Sequence, residues 1–214
     1  MYTFLFLFFR HTKQFAFPLM CDMAYTSDSA REELWKNDGV DFYLSVIQHA
    51  RWRISALNAL TVWLANDAER VEVVLTLPKN VEVLVRAFTE WRDEGGGNVG
   101  NSREFEQLCE AFLRLCVKST RLALLLGRDN IFISHLVGRL EGEGGGGSSA
   151  IARMCLLKIM GKIVTNRATF MEHGVFPILQ KLADDQSQVL ISEISKTLLR
   201  RIALSYSPIK KQRP

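Results

Sequence analysis

Apolar residues recur along most of this chain at alternating steps of three and four positions, which is the spacing of one face of an α-helix. One stripe follows Ser102, a favourable helix N-cap, and comprises Phe105, Leu108, Cys109, Phe112, Leu113 and Cys116. Another lies between Ser187 and Leu204 and comprises Leu190 or Ile191, Ile194, Leu198 and Ile202. Residues 151–164 are apolar on almost every face, which predicts a helix buried between neighbours.

Four segments share a further pattern, in which a polar turn precedes a Val or Ile that opens a Leu-rich helix. These anchor residues recur at intervals of roughly 40–50 residues, against about 40–47 in armadillo and HEAT repeats; they are Val40, Val81, Ile131 and Val175. A second apolar helix follows each anchor helix, and we place these helices at 53–64, 105–116, 151–164 and 189–204.

Strands are not expected anywhere in the chain, because no stretch alternates apolar and polar residues between hairpin turns. Residues 71–77 are rich in valine but follow a helix-start pattern, so we interpret them as helical. One helix pair cannot bury its apolar face alone, whereas stacked pairs share a core. The sequence therefore predicts an all-α fold, an armadillo/HEAT-like α-solenoid of about four helical repeats.

The organisation of the chain follows from shifts in composition. Residues 1–18 form an apolar N-terminal segment, which we interpret as a truncated repeat or a gene-model artefact. Its apolar run is too short to span a bilayer, although a membrane tether remains the alternative. The repeat domain is placed at 19–205, with Gly-rich loops at 94–101 and 142–149, and residues 206–214 are expected to form a basic, disordered tail.

The charge, the cysteines and the histidines of the chain limit the classes of partner and cofactor that are expected. The net charge is only +4, and we find no basic stripe with interleaved aromatics, so no nucleic-acid partner is expected. The four cysteines form no CxxC pair and the four histidines are scattered, which indicates reduced thiols in a cytosolic protein and no metal site. Residues 95–100 match the letters G-x-G-x-x-G but follow a predicted helix instead of a strand. No cofactor is expected.

Two short motifs are candidate functional sites. Arg51, Trp52 and Arg53 place an aromatic residue between two arginines, the composition of interface hot spots, and we predict that they bind a partner; the alternative is a tryptophan of the core. Ser207 precedes Pro208 and a downstream lysine, which matches a proline-directed phosphorylation site; the alternative is an ordinary basic tail. No nucleophile elbow is present, and no catalytic residue is predicted.

A longer string suggests kinship. Residues 33–44, Glu-Leu-Trp-Lys-Asn-Asp-Gly-Val-Asp-Phe-Tyr-Leu, together with Trp52 and residues 55–64, resemble the C-terminal armadillo region of the septation-initiation/mitotic-exit Ste20-like protein kinases of fungi. The plant MAP-kinase-kinase-kinase epsilon proteins are similar, and the resemblance covers about residues 19–204. This chain has no Gly-rich loop on a strand and no Val-Ala-Ile-Lys, His-Arg-Asp or Asp-Phe-Gly motif, all of which a kinase domain contains. The resemblance therefore implies the non-catalytic part of such a protein.

The role implied by this resemblance is a protein–protein interaction module that docks to scaffold proteins or to the Ras-like GTPase of the septation network. It implies a cytoplasmic protein at the spindle pole body or the division site, with no membrane partner. Whether the chain is a fragment, a truncated gene model or a kinase-less paralogue stays open. The alternatives are a stand-alone helical-repeat scaffold unrelated to kinase signalling and an enzyme with an unrecognised site.

Overall fold

The computed structural model of the chain describes residues 16–91, 99–142, 149–163 and 171–204, and the regular structure of these residues is entirely helical. The helices are α1 (residues 16–26), α2 (Asp28–Lys36), α3 (Gly39–Ile47), α4 (Ala50–Asn66), α5 (Ala68–Leu75), α6 (Pro78–Thr89), α7 (Val99–Lys118), α8 (Thr120–Leu126), α9 (Asn130–Glu141), α10 (Ala150–Ile163), α11 (Val175–Asp184) and α12 (Val189–Leu204). In the described part of the chain, no helix combines the length and apolar character that crossing a bilayer requires.

The chain divides into two compact units, Met1–Ala87 and Phe88–Pro214, where the sequence predicts a single repeat domain over residues 19–205. The division falls inside α6, near its C-terminal end. Each unit has its own buried cluster of aromatic and aliphatic side chains.

The first unit is built around the pair α3 and α4, with α2 packed on α3 and α5 on α4. Its core is aromatic, because the fully buried Tyr43 and Trp63 rings meet edge to face with their centroids 6.1 Å apart. Phe17 of α1 adds a third ring, 6.2 Å from Tyr43. The Tyr43 hydroxyl donates a hydrogen bond of 2.5 Å to the carbonyl of Met20, so that α1 is fixed to α3 by both apolar and polar contacts.

The second unit contains the closely packed helix pair α11 and α12, and α9 makes a smaller contact with α10. The second helices of successive pairs lie side by side, since α10 packs against α7 on one side and α12 on the other. Phe88, Phe112 and Phe132 form the aromatic centre of the core, with centroids 4.8 to 6.0 Å apart. This pairing confirms the predicted all-α helical-repeat class.

All four anchor residues lie in or at the start of a helix, in α3, α6, α9 and α11. Residues 71–75 are helical, as predicted, whereas residues 76–77, which the prediction also included, lie in the turn after this helix. The bounds of α12 are as predicted. The prediction that Ser102 caps a helix is wrong, because α7 begins at Val99 and the backbone is already helical at Ser102. Residues 99–101 of the Gly-rich loop predicted at 94–101 are therefore helical, while residues 92–98 and 143–148 lie outside the described part.

Two of the polar turns before the anchors use the left-handed backbone conformation. Asp38 precedes α3 with φ 52°, and Gly174 precedes α11 with φ 64°. Next to Asp38, a β-carbon on Gly39 would lie 2.7 Å from the carbonyl oxygen of Leu34. Glycine is required there because the end of α2 and the start of α3 approach more closely than any side chain allows.

Candidate interaction groove

The predicted partner-binding residues lie in the first turn of α4, where their environments differ. Arg51 is exposed, and its guanidinium carbon lies 4.9 Å from the centre of the Trp52 ring. Trp52 is half-buried, with its ring 5.0 Å from that of Phe17 in an edge-to-face arrangement. Arg51 and Trp52 thus form a small cation–π surface, whose role in partner binding stays a prediction.

Arg53 has a structural position instead. It is only 5% exposed, and its Nε donates a hydrogen bond of 3.2 Å to the carbonyl of Ile47, the last residue of α3. The final carbonyls of a helix have no partner inside the helix, so Arg53 satisfies one of them across the turn between α3 and α4. The predicted phosphorylation site, Ser207, lies outside the described residues.

A groove in the second unit is the more open apolar surface. It runs along α7, α10 and α12 and has a volume of about 470 Å³. Its apolar lining comes from all three helices and comprises Leu113, Val117, Leu157, Gly161, Leu190, Ile194 and Leu198. Val117 is 51% exposed and Leu190 is 66% exposed, so that part of the lining faces solvent.

Local packing explains why a groove forms here. α10 buries residues on several faces because it lies between α7 and α12, as its apolar sequence predicts. At Gly161 it approaches α12 closely, since a β-carbon there would lie 3.1 Å from Cδ2 of Leu198. Arg201 of α12 also donates a hydrogen bond of 3.0 Å from Nη1 to the carbonyl of Gly161. These contacts fix α10 against α12 along the floor of the groove.

The charged residues of the groove are mostly basic. Lys158, Lys162 and Arg201 line it together with a single acidic residue, Glu193. Glu193 is already paired, because Nζ of Lys196 lies 3.0 Å from its carboxylate. Lys158 and Lys162 are exposed and form no ion pair with any described residue. The groove therefore combines an apolar floor with positive charge.

The groove is not evident from the sequence. The apolar stripe of α12 includes either Leu190 or Ile191, and the structure shows that Ile191 is 2% exposed and faces the core, whereas Leu190 faces outward. Lys158 and Lys162, four residues apart, lie on one face of α10. That spacing indicates a basic face on α10. This face lines a groove only because α7 and α12, which are distant in sequence from each other, pack beside α10.

One cluster resembles a hydrolytic site in composition. Ser134 Oγ lies 3.1 Å from Nδ1 of His173, whose Nε2 lies 3.4 Å from Oδ1 of Asn130. Ser134 and Asn130 are exposed on the first turns of α9, and His173 lies in the turn before α11. Water therefore has free access to the serine hydroxyl, unlike in sites that exclude solvent to strengthen their electrostatics. These contacts attach the turn to α9.

The cysteines are buried rather than reactive. Burial raises the pKa of Cys21 to about 11 and that of Cys116 to about 12, and it raises the pKa of Cys109 further. A nucleophilic or metal-binding cysteine requires the thiolate form, which these environments disfavour. Among the described residues, no three His, Cys, Asp or Glu side chains are grouped as a metal site would require.

Comparisons with known proteins find the chain similar to a protein kinase and to two proteins of cell division. It is 29% identical to MAP3K epsilon protein kinase 1 of Brassica napus over 206 residues, 90% of this chain and 15% of that protein. It is 28% identical to Cytokinesis protein sepH of Emericella nidulans over 200 residues, 89% of this chain and 14% of that protein. It is 23% identical to Cell division control protein 7 of Schizosaccharomyces pombe over 202 residues, 94% of this chain and 18% of that protein.

The chain thus spans less than a fifth of the length of these relatives. No protein-family model matches it, and no solved structure does. The similarity covers nearly the whole chain and one region of the MAP3K epsilon protein kinase and of the two cell-division proteins, in line with the resemblance seen in residues 33–44.

Proposed function

We propose that this chain is a non-catalytic protein–protein interaction module of armadillo type in septation or cytokinesis kinase signalling. Its partners would be scaffold proteins or the regulatory Ras-like GTPase of the network, and its location the cytoplasm at the spindle pole body or the division site. The observation that supports this most strongly is the pattern of coverage. About nine-tenths of the chain matches the kinases, yet the match occupies only 14–18% of their length.

The structure supports an interaction role through its surface. A half-open apolar groove, with lysines that form no ion pair with any described residue, is the kind of surface that proteins retain for contact with a partner. The Arg51 and Trp52 surface of the first unit is a second, smaller candidate with the residue types found at interface hot spots.

The test uses the relative from Emericella nidulans. The tagged chain and the tagged matching region of its sepH are each purified from that fungus, and the bound proteins are identified by mass spectrometry. We expect the chain to recover proteins that the sepH region also recovers, and the isolated chain to transfer no phosphate from ATP.

The sepH region is the positive control of this experiment. If it recovers its partners while the chain recovers none of them, the proposal is wrong. Phosphate transfer by the isolated chain would contradict the non-catalytic part of the proposal, if a control preparation without the chain transfers no phosphate.

A further inference from the structure

We propose that the groove between α7, α10 and α12 binds an amphipathic, acidic helix of a partner protein. Apolar side chains of that helix would contact the floor, and its glutamates and aspartates would contact Lys158, Lys162 and Arg201. This inference rests on the proposed function and specifies the chemistry of the partner at the groove.

Exposed aliphatic side chains in the groove favour an apolar partner surface. A single exposed leucine is ordinary on a protein surface, but Leu190 and Val117 are 66% and 51% exposed and line the same groove as the more buried Leu157 and Leu198. Covering these neighbouring side chains removes contiguous apolar surface from water, which drives association. A partner with aliphatic anchors is therefore favoured over a purely polar one.

The dimensions and the lining favour a helix. The lining residues of α12 extend from Leu190 to Arg201, a distance of about 17 Å at 1.5 Å per residue, which matches three turns of a partner helix. The lining also consists of ridges with steps of four, such as Leu113 with Val117 on α7. Ridges of this spacing accept the ridges of another helix, whose anchors would follow the i, i+3, i+4, i+7 pattern of helix-in-groove recognition.

Charge complementarity selects an acidic partner. Three basic residues and one acidic residue line the groove, and the acidic one, Glu193, is paired with Lys196. A basic segment would meet like charges, which are costly across an interface. The C-terminal residues 206–214 contain Lys210, Lys211 and Arg213 but no acidic residue, so charge also disfavours this tail as the occupant.

The probe is a fluorescein-labelled peptide of about 16 residues, long enough for four helical turns, with leucines on one helical face and glutamates on the other. Two matched peptides replace either the glutamates with lysine or the leucines with serine. Fluorescence anisotropy with the full chain should show saturable binding of the first peptide only, and added salt should weaken it because exposed charges are screened. Equal binding of all three peptides, or no binding of the acidic one at about millimolar protein, a weak affinity, would overturn the proposal.

A matched pair of variants locates the binding. Leu190→Glu changes a lining residue, whereas Val189→Glu changes its neighbour, which is 67% exposed and does not line the groove. Both add one negative charge to the first turn of α12, so their effects on the helix are alike. We expect Leu190→Glu to weaken peptide binding about tenfold or more, the effect of losing one buried aliphatic anchor, and Val189→Glu to change it less than about twofold.

A second pair tests the charges. The double variant Lys158→Glu, Lys162→Glu should abolish binding of the acidic peptide and allow binding of the lysine peptide. Lys181→Glu, on an exposed position of α11 away from the groove, should change neither. Circular dichroism confirms that each variant remains folded.

The groove proposal and the proposed function can fail separately. If Leu190→Glu still recovers every partner shared with sepH, and the peptide shows no preference, the groove is not the docking surface while the proposed function stands. If the wild-type chain binds the acidic peptide but shares no partner with sepH, the function assigned to the chain is wrong while the groove chemistry stands.

Discussion

The two units use their apolar residues in different ways. The first unit buries several aromatic side chains: Tyr43 and Trp63 are fully buried, and the half-buried Trp52 contacts Phe17. The second unit leaves aliphatic side chains open along α7 and α12, beside lysines that have no acidic partner among the described residues.

This difference changes where a docking surface is expected. Composition directs attention to the Arg-Trp-Arg motif of the first unit, because aromatic and arginine residues are enriched in interface hot spots. The structure shows that Arg53 of this motif is committed to the carbonyl of Ile47. Among the described residues, an open surface with an apolar floor and basic side chains lies in the second unit. Exposure in the structure and residue type in the sequence thus indicate two different candidate docking surfaces.

The largest effect is expected from removing an aromatic ring of the first unit. Trp63→Ala should lower the free energy of unfolding by about 3–5 kcal/mol, because it leaves a cavity in a closed core. Leu190→Ala in the groove should change it by less than about 0.5 kcal/mol, as surface substitutions do. Urea denaturation followed by circular dichroism measures both. A similar loss in the two variants would show that the groove is not the open surface described above.

Two glycines of the second unit differ in how closely neighbouring atoms approach them. A β-carbon at Gly127 would lie 2.6 Å from the carbonyl oxygen of Ile163, a backbone atom, whereas at Gly161 it would meet the tip of Leu198 at 3.1 Å. Gly127→Ala should therefore destabilise the chain by about 1–3 kcal/mol through overpacking, and Gly161→Ala by less because a leucine tip can move. Thermal unfolding measures both variants. A larger loss of stability in Gly161→Ala than in Gly127→Ala would contradict this packing.

Replacing each of the two arginines that flank Trp52 should also change the stability of the chain to a different extent. Arg53→Ala leaves the buried carbonyl of Ile47 without this donor and should cost about 1–2 kcal/mol. Arg51→Ala removes an exposed cation and should remain within about 0.5 kcal/mol of the wild type. Chemical denaturation of both variants provides the measurement, and equal losses would contradict the structural position of Arg53.

The smallest effect concerns the turn between α11 and α12. The Ser187 hydroxyl, at 2.6 Å, and its backbone N–H, at 3.0 Å, donate to the carboxylate of Asp185 and lower its pKa. Because the pKa is lower in the folded state, this contribution to stability is present above the unfolded pKa of about 3.9 and disappears as the pH falls through the lower folded pKa. Ser187→Ala should raise the pKa of Asp185 toward its ordinary value.

An NMR titration of the Asp185 carboxyl carbon in the two proteins measures that shift. Ser207→Ala is a suitable control, because it removes a serine hydroxyl elsewhere in the chain. If the pKa of Asp185 is unchanged in Ser187→Ala, the serine hydroxyl is not the main cause of the lowered pKa.

The fold could be predicted from the sequence to a large extent, because helical periodicity is a local property. The bounds of α12 and the burial of α10 follow from the spacing of their apolar residues. The start of α7 could not be predicted in this way. A good capping residue such as Ser102 does not begin a helix when the residues before it also have helical backbone.

The candidate site was much less predictable, because it depends on contacts between helices. The choice between Leu190 and Ile191 could not be made from one helix, since both lie near the edge of the apolar stripe and only packing against α10 and α11 decides which is buried. The same holds for Arg53, whose partner is fixed by the turn that brings the end of α3 to α4.

The most direct test of this account compares three forms of the chain in Emericella nidulans: wild type, Val189→Glu and Leu190→Glu. Each is purified from the fungus beside the matching region of sepH, and the shared partners are quantified. The account predicts equal recovery by the wild type and Val189→Glu and a loss of about tenfold or more in Leu190→Glu. Equal recovery by all three forms, or no shared partner with any of them, would contradict it.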